Sequence, residues 1–239
     1  MQPFAYTAPT TVKEAVEILT KKGNIAGPVA GVNDVLVQIR GGRFKLDAVV
    51  DIKKIPELNN LSNDSNSLNI GVAVPCHRIY EDQKISEDYP GRIDAAELIG
   101  GIQIQSRAGF GGNLCNSTPS GDSICPLIVL STVANIEGSK GKRSYPVEDF
   151  FTGPGSNTLE DWELLVSLSI PNQGSKFNSA YERFIPRNEM DIAVAGVASS
   201  ILIGSNGKIE SARIALASVG PTPIFAKKAS ESLIGKEPG

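Results

Sequence analysis

Between Ser106 and Leu127 the chain reads SRAGFGGNLCNSTPSGDSICPL, with Gly109, Gly111, Gly112 and Gly121 set among small polar residues ahead of the apolar run Pro126–Leu130. A turn needs one or two glycines, so this density asks for a further reason. Residues without a Cβ let consecutive N–H groups converge on an anion, and a helix start adds partial positive charge at the same place. A second glycine-bearing loop, GPVAGVND (Gly27–Asp34), lies between a strand signal and a helix signal. Two such loops could grip the two phosphates of a dinucleotide. Tight turns alone would also account for both, and the residues by themselves leave that choice open.

Charge narrows the means of binding. A formal net charge of -3 over 239 residues provides no basic field for nucleic acid or an anionic membrane. Any bound phosphate must be held by backbone amides and local dipoles. No apolar run approaches the ~18 residues of a membrane span, and the N-terminus lacks the features of a secretory leader. Cys76, Cys115 and Cys125 are odd in number and form no disulfide framework, so a reduced, cytoplasmic protein is expected.

Along the chain, PTTVKEAVEIL predicts a helix capped by Thr10 or Thr11, with Glu14 placed as in a capping box and Val12, Ala15, Val16 and Leu19 on one stripe. NIAGPVAG reads as a strand entering a turn, VNDVLVQIRGG as a helix and DAVVDI as a buried strand. That order suggests a small α/β unit over roughly the first 55 residues. SLNIGVAVP, VANIE and WELLVSLSIP read as strands, and GRIDAAELIGGIQIQ as a helix followed by an extended segment. The last long strands are joined by GSNGK, whose Asn206-Gly207 pair suits a hairpin. The mixture predicts several α+β subdomains rather than one continuously wound sheet.

Most catalytic patterns are missing. There is no P-loop, and GPGSNT (Gly153–Thr158) lacks the third glycine of a dinucleotide fingerprint, which leaves a turn. His77 is the sole histidine and has no triad context. The cysteines contain no C-x-x-C pair and are too few for an ordinary iron–sulfur cluster. The pairs Glu148-Asp149 and Glu160-Asp161 are expected to be solvated caps.

The segments FAYTAPTTVKEAVEIL, VAGVNDVL, VVDIKKIPEL, IGVAV, IGGIQIQSRAGFGGNLCNSTPSGD, YPVEDFFTGPG, ELLVSLSIP, RNEMDIAVAGVA and ARIALASVGPTP, in that order, resemble the FAD-binding medium subunit of the molybdenum hydroxylases, the group of carbon monoxide dehydrogenase and xanthine dehydrogenase. The resemblance spans nearly the whole chain. It implies an α+β fold of the vanillyl-alcohol-oxidase/PCMH type: FAD-binding subdomains over 1–55 and 56–172, then a C-terminal domain over 173–239 that is short or lacks its end.

By that resemblance, Val29, Ala30, Gly31, Val32, Asn33, Asp34 and Val35 form a first pyrophosphate loop, and Gly109, Phe110, Gly111, Gly112 and Asn113 a second. Asp122 would meet the adenosine ribose, Leu165 would line the flavin or adenine pocket, and Arg183 would stand near the isoalloxazine ring. No catalytic side chain and no metal ligand is implied in this chain. Relatives usually carry glycine where this chain has Val32, so that position is expected to be extended or the loop to differ, and they usually carry Thr or Ser where it has Gly109.

The implied role is electron transfer. Substrate would be oxidised at a molybdenum cofactor in a large partner subunit, and electrons would pass through 2Fe-2S centres of a small subunit to FAD here and on to an external acceptor. The assembly would be a dimer of heterotrimers. The alternatives are a subunit that has lost FAD and only scaffolds the complex, and a stand-alone FAD oxidoreductase of the same fold.

Overall fold

A computed structural model describes residues 3–43, 45–187 and 190–238, with backbone only at 90–93; Asn188 and Glu189 of the segment RNEMDIAVAGVA lie outside the described residues. The chain begins β1 (Ala5–Thr7), α1 (Val12–Lys22), β2 (Ala26–Val29), α2 (Asn33–Arg40), β3 (Ala48–Asp51). These strands form a parallel sheet in the order β1-β3-β2. Parallel neighbours need long crossovers, which the two helices supply. Thr11 caps α1 by accepting from the Glu14 N–H at 3.1 Å, and the Glu14 carboxylate returns to the Thr10 N–H at 2.9 Å. The stripe Val12, Ala15, Val16 and Leu19 is buried as the spacing predicts.

The middle of the chain holds β4 (Leu61–Asn63), β5 (Ser67–Gly71), α3 (Cys76–Tyr80), α4 (Gln83–Asp88), α5 (Pro90–Leu98), α6 (Ile102–Gln105), α7 (Phe110–Asn116), α8 (Ile124–Val129), β6 (Val133–Gly138), β7 (Gly141–Pro146), β8 (Phe151–Gly153), β9 (Ser156–Asn157) and β10 (Glu163–Pro171). Its main sheet is antiparallel, β4-β5-β10-β6-β7. Helix α1 packs on β10 and β6 as well as on β2, so one helix fills the space between the two sheets. GPGSNT is the β8–β9 turn, with Gly155 at φ 70°.

One local expectation fails here. IQIQ alternates like a strand, yet Ile102–Gln105 is a helical turn. Gly100, at φ 62°, reverses the chain. The Ile104 and Gln105 N–H groups then return to the Gly101 carbonyl, and buried Gln105 donates to the Glu97 carbonyl at 2.6 Å. That bond satisfies an orphan acceptor at the end of α5, which outweighs alternation over so short a segment.

The last part comprises β11 (Phe177–Phe184), β12 (Ala195–Ile203), β13 (Ile209–Ala217), β14 (Ile224–Phe225) and α9 (Lys227–Leu233), with the strands in an antiparallel sheet β11-β12-β13-β14. GSNGK closes the β12–β13 hairpin, with Gly207 at φ 77°. Every residue of α8 is buried, and the sheet satisfies its terminal carbonyls: Ser200 donates to the Val129 carbonyl at 2.8 Å and Arg213 to that of Ile128 at 3.0 Å. Arg213 also pairs with Glu148 and lies 4.1 Å from the Phe225 ring centroid. Glu148 is thus a half-buried partner to a cation rather than the solvated cap its sequence setting suggests.

Candidate functional site

The first loop leaves the carboxyl end of β2 and enters α2, the place where parallel sheets offer ligands a crevice. Val32 sits at φ 69°, ψ -7°, in the left-handed region, which overturns the expectation of an extended residue. A β-branched residue there carries a strain of about 1–3 kcal/mol. Its half-buried side chain joins Val29, Val35, Leu36 and Ile39 along a pocket of about 190 Å³ that Tyr6, Asp51 and Lys53 also line, and that packing offsets part of the strain. Accordingly, Val32→Gly is expected to be more stable than Val32→Ala by about 1 kcal/mol in urea unfolding, because Ala loses the packing and keeps much of the strain. An ordinary loop position would give the opposite order.

The second loop is the start of α7. Gly109 occupies the N-cap in extended backbone (φ -139°) and offers no capping side chain. A Cβ there would lie 2.4 Å from the Val74 carbonyl oxygen, and one on Gly111 would lie 2.1 Å from Val72 Cγ2 and 2.8 Å from its Cα. Both glycines are required because α7 rests directly on residues 72–74. A side chain of any kind at position 109 has no room on this backbone. Phe110 is fully buried, so only its N–H can reach a ligand. Gly112 differs from its neighbours: it is exposed, and a Cβ would meet nothing within 4 Å.

The fold sets these two loops side by side. A Cβ on Gly31 would fall 2.7 Å from the Arg107 carbonyl oxygen and 3.0 Å from Ala108 Cα, immediately ahead of α7. Asn116, at the other end of α7, donates to Asp34 at 3.3 Å and accepts from Gln38 of α2 at 2.9 Å. The Asp34 carboxylate is thereby turned onto α7, leaving its N–H on the loop. Neither α2 nor α7 has a side-chain cap, so their first-turn N–H groups remain available as anion donors. Asn33 Oδ1 is buried with no hydrogen-bond partner in the protein; the amide turned over would present a donor instead. Adjacent uncapped helix starts joined by a glycine contact suit a diphosphate in a protein without a basic field.

Asp122 and Arg183 are also brought together, in a way the sequence reading did not anticipate. Arg183 Nη1 donates to Asp122 Oδ2 at 2.7 Å, and the Tyr181 hydroxyl to Oδ1 at 3.0 Å. The Arg183 and Asp122 side chains are 6% and 12% exposed. Burial raises the Asp122 pKa, against the lowering influence of Arg183 and Tyr181. Asp122 and Arg183 therefore present themselves to any ligand as one pair. Leu165 is 1% exposed on β10, on the inward face of a central strand. Tyr181 was missed, although alternation along β11 places it on the Arg183 face.

Cys76 and Cys125 are fully buried, and burial pushes both thiols up to about 12, so neither supplies a thiolate. Among the described residues no group of His, Cys, Asp and Glu could hold a metal ion. No helix is long and apolar enough to cross a membrane among them.

Comparison with known proteins identifies the family. Residues 2–173 match the FAD binding domain in molybdopterin dehydrogenase, and residues 179–238 the CO dehydrogenase flavoprotein C-terminal domain. The chain is 32% identical to the xanthine dehydrogenase FAD-binding subunit of Escherichia coli O157:H7, covering 95% of this chain and 78% of that protein. It is 28% identical to the nicotinate dehydrogenase FAD-subunit of Eubacterium barkeri, over 98% and 81%. A chain of carbon monoxide dehydrogenase from Hydrogenophaga pseudoflava superposes with a TM-score of 0.94 at 30% identity, over 100% of this chain and 83% of that one. The chain belongs to the FAD-binding domain family of the molybdopterin dehydrogenases, as a flavoprotein subunit of an oxidoreductase.

Proposed function

We propose that this chain is the electron-transfer subunit of a heteromeric molybdenum-containing hydroxylase or dehydrogenase. It would work with a large molybdenum-cofactor subunit and a small 2Fe-2S subunit, as a dimer of heterotrimers. The carrying observation is the contact of Gly31 with Arg107 and Ala108, which sets two uncapped helix starts beside each other. FAD, when bound, supplies the capacity to take electrons from the partner's 2Fe-2S centres and hand them to an external acceptor.

This chain's residues hold and orient it. The N–H groups of Asn33, Asp34 and Val35 on one side and of Phe110, Gly111 and Gly112 on the other receive the diphosphate, with Gly31 keeping the two sides close and the Asn113 N–H closing the first turn of α7 on the Gly109 carbonyl. Arg183 stands toward the isoalloxazine end, its charge largely balanced by Asp122. A holder of this kind needs no acid–base residue.

A relay subunit also needs a place for its electron donor to dock. Ile102, Phe184, Met190, Ile192 and Val194 are each more than half exposed. A Cβ on Gly101 would lie 3.5 Å from Met190, and the Val194 N–H donates to the Phe184 carbonyl at 2.9 Å, so they form one surface. Phe184 follows Arg183 in the chain. Apolar surface of this extent marks a protein interface, and the small 2Fe-2S subunit covering it would bring its cluster to the Arg183 end of the site. Purification under native conditions is expected to yield a yellow particle that contains molybdenum and iron and releases FAD, rather than FMN, on denaturation. A colourless chain that FAD cannot reconstitute would sink this reading and favour a scaffold.

A further inference from the structure

Helices α2 and α7 are joined a second time, beyond the contact of their glycine loops. Asn116, the last residue of α7, is bonded to both Asp34 and Gln38 of α2. Ser117 then turns the chain in the left-handed region at φ 52° and is 1% exposed. A residue with a side chain stays in that region only when its surroundings over-determine it. The β8–β9 ribbon supplies the hold. Its Gly155 N–H donates to the Ser117 carbonyl at 2.9 Å, and Asn157 Nδ2 donates to the Cys115 carbonyl and to Ser117 Oγ, each at 3.0 Å. A helix ends in carbonyls with no partner inside it, and Asn157 reaches one of them from a distant part of the chain.

The ribbon is itself fixed. Asn157 Oδ1 accepts from the Leu159 N–H at 3.0 Å, the Thr158 carbonyl accepts from Arg143 of β7 at 2.7 Å, and Arg143 pairs with Glu163 of β10. The turn also meets the exit of α2: a Cβ on Gly155 would lie 2.7 Å from Arg43 Nη2. Both amide hydrogens of Asn157 are thus engaged within the protein. We propose that Asn157 is a positioning residue for the flavin: through Cys115 and Ser117 it locks the far end of α7 to the main sheet, keeps α7 in register with α2, and so sets FAD affinity without contact with FAD. The proposal rests on the reading that the loops ahead of these two helices hold the diphosphate. Donors on separate segments bind tightly together only when their spacing is fixed beforehand. The Gly31 contact fixes it at one end and the ribbon at the other.

The test is titration of the flavin-stripped full chain with FAD at neutral pH, with the melting temperature of each apoprotein measured alongside. Asn157→Ala is expected to weaken FAD about tenfold, equivalent to ~1.4 kcal/mol. Asn157→Asp still accepts from the Leu159 N–H, so the ribbon retains its own turn, but it loses both donors to α7 and should weaken FAD at least as much. Ile85→Ala is the structural control. It opens a cavity under α4, which packs on α3 and α5. That variant should melt below both Asn157 variants while binding FAD within about twofold of wild type. Wild-type affinity in Asn157→Ala would overturn the proposal. So would normal binding by Asn157→Asp beside a loss in Asn157→Ala, which would place the effect inside the ribbon. Affinity that falls in step with melting temperature across all three variants would leave Asn157 a general stabilising role and overturn it as well. If Asn157→Ala does not fold, Asn157→Asp and Ile85→Ala decide. A wild-type chain that fails to take up FAD would instead remove the reading beneath the proposal.

Discussion

Valine at Gly112 is expected to strip the protein of flavin while leaving its fold intact. The position is exposed and a Cβ there meets no atom within 4 Å. Valine is also a better helix residue than glycine by a few tenths of a kcal/mol, so the apoprotein should melt within about 0.5 kcal/mol of wild type, as for most surface changes. The branched side chain would stand over the first turn of α7, where a diphosphate must come within hydrogen-bonding distance of the N–H groups. Charge-assisted hydrogen bonds contribute about 1.5–3 kcal/mol each, so displacing the phosphate from even two of them weakens binding by a hundredfold or more. The flavin-to-protein absorbance ratio after gel filtration, with circular dichroism as the control, measures the effect. Normal flavin content would take α7 out of the binding site.

One residue earlier, the same substitution should do the reverse. Gly111→Val places its Cβ 2.1 Å from Val72 Cγ2 and 2.8 Å from the Val72 backbone, before its methyls are counted. Val72 is itself fixed by an N–H bond to the Val166 carbonyl of β10 at 3.0 Å, so the strand end cannot retreat without breaking the central sheet contact. Overpacking costs about 1–3 kcal/mol when a core can adjust, and here backbone blocks adjustment. The expected loss is at or beyond the top of that range, a large part of the 5–15 kcal/mol that holds a typical domain together. The apoprotein should be insoluble or melt more than ten degrees lower. A soluble Gly111→Val chain of near-normal stability would show that α7 is not seated on residues 72–74. Together the neighbouring substitutions separate folding from binding within one helical turn.

Much of this was legible in the chain because it is written locally. The Thr11–Glu14 box, the Val12/Ala15/Val16/Leu19 stripe and the Asn206-Gly207 turn act over a few residues, and each is found as read. The glycine clusters likewise announced backbone approached closely by something. Their division of labour was not legible: Gly109 and Gly111 are needed by Val74 and Val72, Gly31 by Arg107 and Ala108, and only Gly112 opens outward. Glycine in sequence reports the need for space and is silent about what fills it.

By itself the sequence determined the α+β class, the βαβαβ-like opening unit, and the two glycine-bearing segments able to present backbone amides in place of basic side chains. Tertiary structure alone decided that those segments touch, that Val32 takes a left-handed conformation along a pocket, and that Asp122 is bound to residues some sixty positions away on β11. The physical reason is range. Caps, turns and periodic stripes are set by neighbours a few residues distant, whereas strain offset by distant packing and buried pairs closed across two sheets leave no periodic trace in the chain.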